Sequence, residues 1–165
     1  MAKAFISYST KNKTLVQVFN EFLQLGMGVN KDDIFCTDFS ESLATGRIFS
    51  ERVKKELASC EIVISLITEE YLQSKYCLVE MGAAWGMNKH HFPLISVPFE
   101  QLSDTPLQGM QMRRLNDSSD ISMVYDELLE YDIRKKSQTA EFNKRLPGFI
   151  KAVNKICDCA KVNLQ

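Results

Sequence analysis

Residues 62–67, Ile-Val-Ile-Ser-Leu-Ile, decide the fold. Five of the six are apolar and four are β-branched, the composition of a strand covered on both faces. A half-exposed strand would alternate apolar with polar residues. Strands of this kind belong to parallel sheets, whose neighbours must be joined by crossovers that lay helices over the sheet.

The chain on either side fits that requirement. Ala4-Phe5-Ile6 reads as a first buried strand, ending at Ser7-Tyr8-Ser9. Leu15, Val18, Phe19, Phe22, Leu23 and Leu25 then recur at helical spacing until Gly26 stops the helix. Asp33–Thr37 is a second short strand, and Asp38–Gly46 is a loop of serines, threonine and glycine. Phe49, Val53, Leu57 and Cys60 mark an amphipathic helix. Beyond the central strand, Glu69–Lys89 reads as one or two helices, with Gly82 and Gly86 permitting close backbone approach. Phe92–Val97 is a fourth strand, and residues 98–118 are irregular. Ile121-Ser-Met-Val124 is expected to be the fifth strand, followed by a short acidic helix at Asp126–Tyr131. The tail carries Phe142, Leu146, Phe149, Ile150, Val153 and Ile156 at helical spacing, and Pro147 is expected to kink that helix or start a new one.

Alternation of strand and helix predicts an α/β, flavodoxin-like three-layer sandwich around a five-stranded parallel sheet. The expected organisation is a domain over residues 1–133 and a C-terminal helical extension over 134–165 packed on it. Ligands of such sheets bind beyond the carboxyl ends of the strands, at the switch point beside the first strand. That rule selects Ser7–Ser9, the Asp38–Gly46 loop and the segment after Ile67.

Composition narrows the function. The chain has 165 residues, 45% hydrophobic and 25% charged, with a formal net charge of −1. A phosphate backbone would find no basic excess, so nucleic acid is not an expected partner. The apolar runs at Ile62–Ile67 and Phe92–Phe99 are too short to span a bilayer, and no hydrophobic signal region opens the chain. The expected setting is cytoplasmic, without a membrane partner. Five cysteines, an odd number set within regular patterns, read as reduced and structural. Cys157 and Cys159 form a Cys-x-Cys pair, but the two histidines, His90 and His91, are adjacent and distant in sequence, so no metal is expected.

Four segments resemble the Toll/interleukin receptor (TIR) domain family, in order and spacing over about residues 3–100. Phe5-Ile-Ser-Tyr-Ser9 resembles the family's first box. Asp38–Gly46 with Phe49 resembles the loop after the second strand, and Ile62–Ile67 resembles the central strand. Tyr71-Leu-Gln-Ser-Lys-Tyr-Cys-Leu-Val-Glu80 resembles the pattern of Tyr, Ser, Trp-Cys and Glu, with Tyr76 standing where tryptophan is commonest. The likeness is greatest to the bacterial, NAD-consuming branch, including the Thoeris type of anti-phage defence protein.

That resemblance implies a nucleosidase of the glycohydrolase or ADP-ribosyl cyclase type. Its catalytic residue is Glu80, and substrate contacts fall to Ser7, Tyr8, Ser9, Asp38, Gly46, Arg47, Phe49 and Tyr76. NAD⁺ would be the substrate, with no further cofactor. Self-association between TIR domains and a separate effector that senses an ADP-ribose-derived signal are the implied partners. The chemistry suits a carboxylate: nicotinamide leaves NAD⁺ as a neutral molecule without an acid, while positive charge builds on the ribose. Tyr76 and Glu80, four apart on an expected helix, would share one face, the tyrosine stacking on a ring while Glu80 addresses the sugar.

Plainer roles stand beside these. Glu80 can be a surface glutamate, Tyr76 a packing residue, the box serines a strand end, and Arg47 the partner of Glu51. Phe5 is expected in the core, Trp85 packed under the sheet, His90-His91 ending a helix, and Met110 and Met112 in irregular packing. Two rival functions share the fold class, a TIR module that signals only by assembly and a nucleoside deoxyribosyltransferase. A phospho-receiver domain is excluded, because Ser7–Thr10 and Thr68 stand where it needs acids.

Overall fold

The computed structural model describes residues 2–36 and 49–162, with side chains over 51–158 in the second stretch. Five parallel strands form one sheet among these residues: β1 (Ala4–Ser7), β2 (Ile34–Cys36), β3 (Ile62–Ile67), β4 (His90–Ile95) and β5 (Arg113–Arg114), in the order β2-β1-β3-β4-β5. The order reverses beside β1, which sets the switch point where the sequence predicts it. β1 meets β3 with Ser7 opposite Ser65.

Period-two alternation sorts the strand residues onto two faces. Ile6, Ile62, Ile64, Leu66, Phe92 and Leu94 pack with α1 (Lys13–Glu21), α5 (Ser118–Glu130) and α6 (Thr139–Val162) in the largest core. On the opposite face Phe5 and Val63 meet α2 (Phe49–Ser59), while Ile67 and Ile95 meet α3 (Glu69–Gln73) and α4 (Lys75–Gly86). Ser7 and Ser65 fall on this second face, the polar members of an otherwise apolar row.

Local chemistry sets the helix ends. Thr68 caps α3, accepting from Tyr71 N at 3.0 Å, and Ser74 caps α4, accepting from Cys77 N at 3.3 Å. The first helix continues past Glu21 as a π-helical turn, Phe22–Gly26, closed by Met27 N donating to Phe22 O at 3.0 Å. A Cβ on Gly26 would stand 2.6 Å from the Phe22 ring, so the turn admits no side chain there unless the ring moves.

Three expectations are corrected. Ile121–Val124 is not a strand: it lies in α5, where Ile121, Val124, Tyr125 and Leu128 recur at helical spacing and are buried. The Asp117 side chain caps that helix, accepting from Asp120 N at 2.9 Å. The fifth strand is instead Arg113–Arg114, two residues on the sheet edge. The acidic stretch at Asp126–Tyr131 is the end of the same helix rather than a separate one. Of the two readings of Pro147, the start of a new helix is not formed, since α6 runs through it. The proline removes one backbone donor, but Phe142, Phe149 and Val153 are buried on either side of it and hold the helix down. Phe22 and Phe149 are stacked with ring centroids 4.3 Å apart. β4 also begins and ends two residues earlier than the apolar run suggests, because pairing with β3 reaches back to His90.

Candidate functional site

β1 ends at the switch point with Ser7, and α4 lays Glu80 over the same place. The Ser7 hydroxyl donates to Glu80 Oε2 at 2.8 Å. Both residues are buried, Ser7 at 1% and Glu80 at 9% relative exposure. The reading of Glu80 as an ordinary surface glutamate therefore does not hold. Burial raises its carboxyl pKa from 4.5 to about 7, against the opposing pull of the Ser7 hydrogen bond. A carboxyl poised near neutrality in a partly dry site can exist as either anion or acid at pH 7.

Ser7 is held by a second neighbour. Tyr71, fully buried beneath α4, brings its hydroxyl within 3.0 Å of Ser7 Oγ. The same hydroxyl donates toward Ser65 Oγ and Cys77 O, each at 3.3 Å. Ser65 in turn meets His91 Nε2 at 2.7 Å. A row of hydrogen bonds thus runs from Glu80 through Ser7, Tyr71 and Ser65 to His91, with each side chain donated by a different element. Burial, with the neighbouring His90 adding to it, lowers the His91 pKa to about 4 and leaves the ring neutral at pH 7.

The other sequence candidates fall differently. Tyr8 is buried at the end of β1, and Ser9 caps the short 3₁₀ turn at Thr10–Asn12 by accepting from Lys11 N. Tyr76 shares α4 with Glu80 and is 70% exposed, so it is not a core packing residue. Asp38, Gly46 and Arg47 lie outside the described residues, and so does the suggested Arg47–Glu51 pair. Phe49 begins α2, with its side chain likewise outside.

Two other expectations are corrected. Trp85 is not under the sheet but 70% exposed on α4. His90 and His91 open β4 rather than ending a helix, with His91 turned toward Ser65 and His90 toward Phe92 and Tyr131. Phe5 is in the core, and Met110 and Met112 of the irregular segment pack, as expected, against the separate cluster that holds Ile67, Tyr71 and Ile95. Sequence reasoning missed Tyr71, Ser65 and His91 as parts of the site. The available signal was Ser65, one polar residue inside an apolar strand, since a buried hydroxyl needs a partner.

Two clefts of about 340 and 370 Å³ lie elsewhere, one between α1 and α6 and one along β4 and α5. The first is floored by Phe22 and Phe149, and the second includes His91 with Arg113 and Tyr131. Neither includes Glu80. Glu80 is the candidate because a buried, perturbed carboxyl at a switch point is a stronger signal than concavity alone. Among the described residues no group of three or more His, Cys, Asp or Glu could hold a metal ion, and no helix is long and apolar enough to cross a membrane.

The model of the TIR domain family matches residues 4–129. An uncharacterized protein of Bacillus subtilis, YddK, is 36% identical over 84 residues, which are 50% of this chain and 31% of that protein. This chain therefore spans under a third of the length of that relative. The crystal structure of the TIR domain of the Toll-related receptor TRR-2 from Hydra magnipapillata covers 82% of this chain and all of its own, with a TM-score of 0.55 and 16% identity. At that identity it supports the fold alone. The TIR domains of the activated Roq1 resistosome, which directly recognizes the pathogen effector XopQ, cover 96% of this chain and 84% of theirs at a TM-score of 0.45 and 14% identity.

Proposed function

The chain belongs to the TIR domain family, and we propose that within it Glu80 cleaves the bond between nicotinamide and ribose in NAD⁺. The observation that carries the reading is the buried Glu80 carboxyl, fixed through Oε2 by Ser7 at the switch point and poised near pH 7.

With Oε2 held, Oε1 is the oxygen we assign to the ribose side. The approaching pyridinium is a cation, and a nearby cation favours the ionised carboxyl. As the C–N bond breaks, its electron pair passes to the ring nitrogen and nicotinamide departs neutral. The ribose carbon becomes electron-poor, and the Glu80 carboxylate offsets that charge in a site where burial strengthens the interaction. Water then adds to the same carbon and releases a proton to solvent. If adenine or a ribose hydroxyl of the same molecule adds instead, the product is a cyclic ADP-ribose, and if another molecule adds, it is a conjugated one. We assign such a product as a signal to a separate effector in bacterial anti-phage defence. Substrate contacts by Ser7, Tyr8, Ser9, Asp38, Gly46, Arg47, Phe49 and Tyr76 belong to the same proposal.

The test is to incubate concentrated protein with NAD⁺ and resolve the products by chromatography and mass spectrometry, beside Glu80→Gln. Nicotinamide release that is lost in the variant supports the reading, and equal release from both proteins removes Glu80 from it.

A second reading, assembly without catalysis, is favoured by one observation. The outer side of α4 exposes Tyr76, Val79 and Trp85, each at least 70% accessible, with Gly82 adding no bulk beside them. Large apolar side chains exposed on one helix suit contact with another TIR domain.

A further inference from the structure

The Tyr71 hydroxyl has one hydrogen and stands among three acceptors: Ser7 Oγ at 3.0 Å, Ser65 Oγ at 3.3 Å and Cys77 O at 3.3 Å. A phenol can serve these only by sharing or by choosing. Ser7 has one hydrogen too, and it goes to Glu80 Oε2. With that hydrogen committed, Ser7 meets Tyr71 through a lone pair, so the Tyr71 hydrogen points toward Ser7. Donation into a hydroxyl polarises it and strengthens the bond it makes onward.

We propose that Tyr71 is a positioning residue for Glu80: its hydrogen supports the Ser7–Glu80 bond, and Ser65 competes for that hydrogen. The proposal deepens the reading of Glu80 as the working carboxylate. No hydrogen bond joins Tyr71 to Glu80 directly, and it acts on the carboxyl through Ser7.

The junction is suited to the task. Tyr71 is fully buried, and its backbone is fixed by the Thr68 cap at the start of α3. Burial raises the phenol pKa well above its ordinary value, so it stays a donor throughout the working range. The titratable neighbours are few. α4 brings Glu80 itself and Cys77, whose thiol burial pushes up to about 11. β4 brings His91, neutral at pH 7, which meets Ser65. β1 and β3 contribute only the two serine hydroxyls, and Glu70 of α3 turns to Asn12 instead. Near neutral pH, Glu80 is the group here that changes charge, and the Tyr71 hydrogen is the one free to respond. An ionised Glu80 draws it to Ser7, and a protonated Glu80 releases it to Ser65.

The test reads the carboxyl directly, without substrate. The whole chain is labelled with ¹³C at glutamate side-chain carboxyls, the Glu80 signal is assigned from its absence in Glu80→Gln, and its shift is followed against pH. In Tyr71→Phe, which keeps the ring and loses the hydroxyl, the midpoint should rise by about half to one pH unit, the worth of a neutral hydrogen bond. In Ser65→Ala one of the two competing acceptors is gone, only Cys77 O remaining, and the midpoint should fall. An unchanged or lower midpoint in Tyr71→Phe overturns the proposal, the lower value meaning that Ser7 donates to Tyr71 rather than the reverse. If Tyr71→Phe does not fold, Ser65→Ala decides alone, a fall supporting the proposal and a rise or no change overturning it. Nicotinamide release is measured in parallel. A wild-type chain that releases none counts against NAD⁺ cleavage, while the titration still judges Tyr71.

Discussion

The Ser7 hydroxyl and the Glu80 carboxylate, 73 residues apart in sequence, meet at 2.8 Å between the end of β1 and the middle of α4. Ser7→Ala removes the donor that holds the carboxyl down. The Glu80 midpoint should then rise further above 7 than in Tyr71→Phe, since hydrogen bonds to charged groups are worth about twice those between neutral ones. Nicotinamide release at pH 7 should fall by about ten-fold. A pH–rate series on the serine and alanine forms checks both, and superimposable profiles would sink the idea.

The reaction as proposed needs the anion. The kcat/KM for nicotinamide release should therefore climb as pH rises through about 7 and level off above it, reporting the carboxyl of the free protein. Activity that falls across the same interval would assign Glu80 the role of an acid.

Stability should carry the opposite slope. Glu80 has a folded value raised above its unfolded one, so the fold keeps the proton after the unfolded chain has lost it. The fold is favoured in acid and loses about 3 kcal/mol from this group as pH climbs from about 4.5 to beyond 7. Glu80→Gln, neutral at every pH, should melt several degrees above wild type at pH 8 and show no such gain at pH 4. Thermal melts at the two pH values decide it, and an equal offset at both would point to packing instead.

His91 works against that slope. Its folded value, about 4, lies below the ordinary 6.5, so the unfolded chain takes up the proton first. The stability that a neutral His91 contributes is present above 6.5 and is lost as pH falls toward 4. In Glu80→Gln, with the glutamate slope gone, denaturation midpoints should drop on acidification through this window. Adding His91→Gln should flatten the drop, and a curve unaffected by the second substitution would refute it.

The outer side of α4 gives a prediction about assembly. Val79→Ser with Trp85→Ser should leave the melting temperature within a degree or two, since both side chains are exposed. It should also shift a sedimentation profile at high concentration toward the monomer. An unaltered profile would leave that face without a role in self-association.

Much of this fold is legible in the residues. Ile62–Ile67 and Ala4–Ile6 are apolar enough to be strands buried on both faces, while Glu51 and Lys55 between Phe49, Val53 and Leu57 would put charge on the apolar face of any strand there. β5 was hidden because two arginines on a sheet edge carry no hydrophobic signal; their pairing is set by β4, not by their own preference. Ile121–Val124 misled for the converse reason, a short segment bounded by two β-branched residues within a longer helical period that Asp117 caps. In the site, Ser7 and Glu80 can be picked out from their boxes, but Tyr71, Ser65 and His91 join only through strand register and a helix laid across it. Trp85 misled because a large apolar side chain favours the core on average, and α4 is apolar on more sides than the sheet can cover.

Gly26 leaves a trace that reaches beyond this molecule. The Phe22 ring fills the space that a Cβ at position 26 would need, and the same ring stacks on Phe149 of α6. Two neighbouring positions and a distant one are thereby bound to a common history. A lineage that dispensed with the last helix would free the ring, and alanine or serine could drift into position 26 unopposed. Where the helix is kept, glycine at 26 and an aromatic residue at 149 should be inherited together.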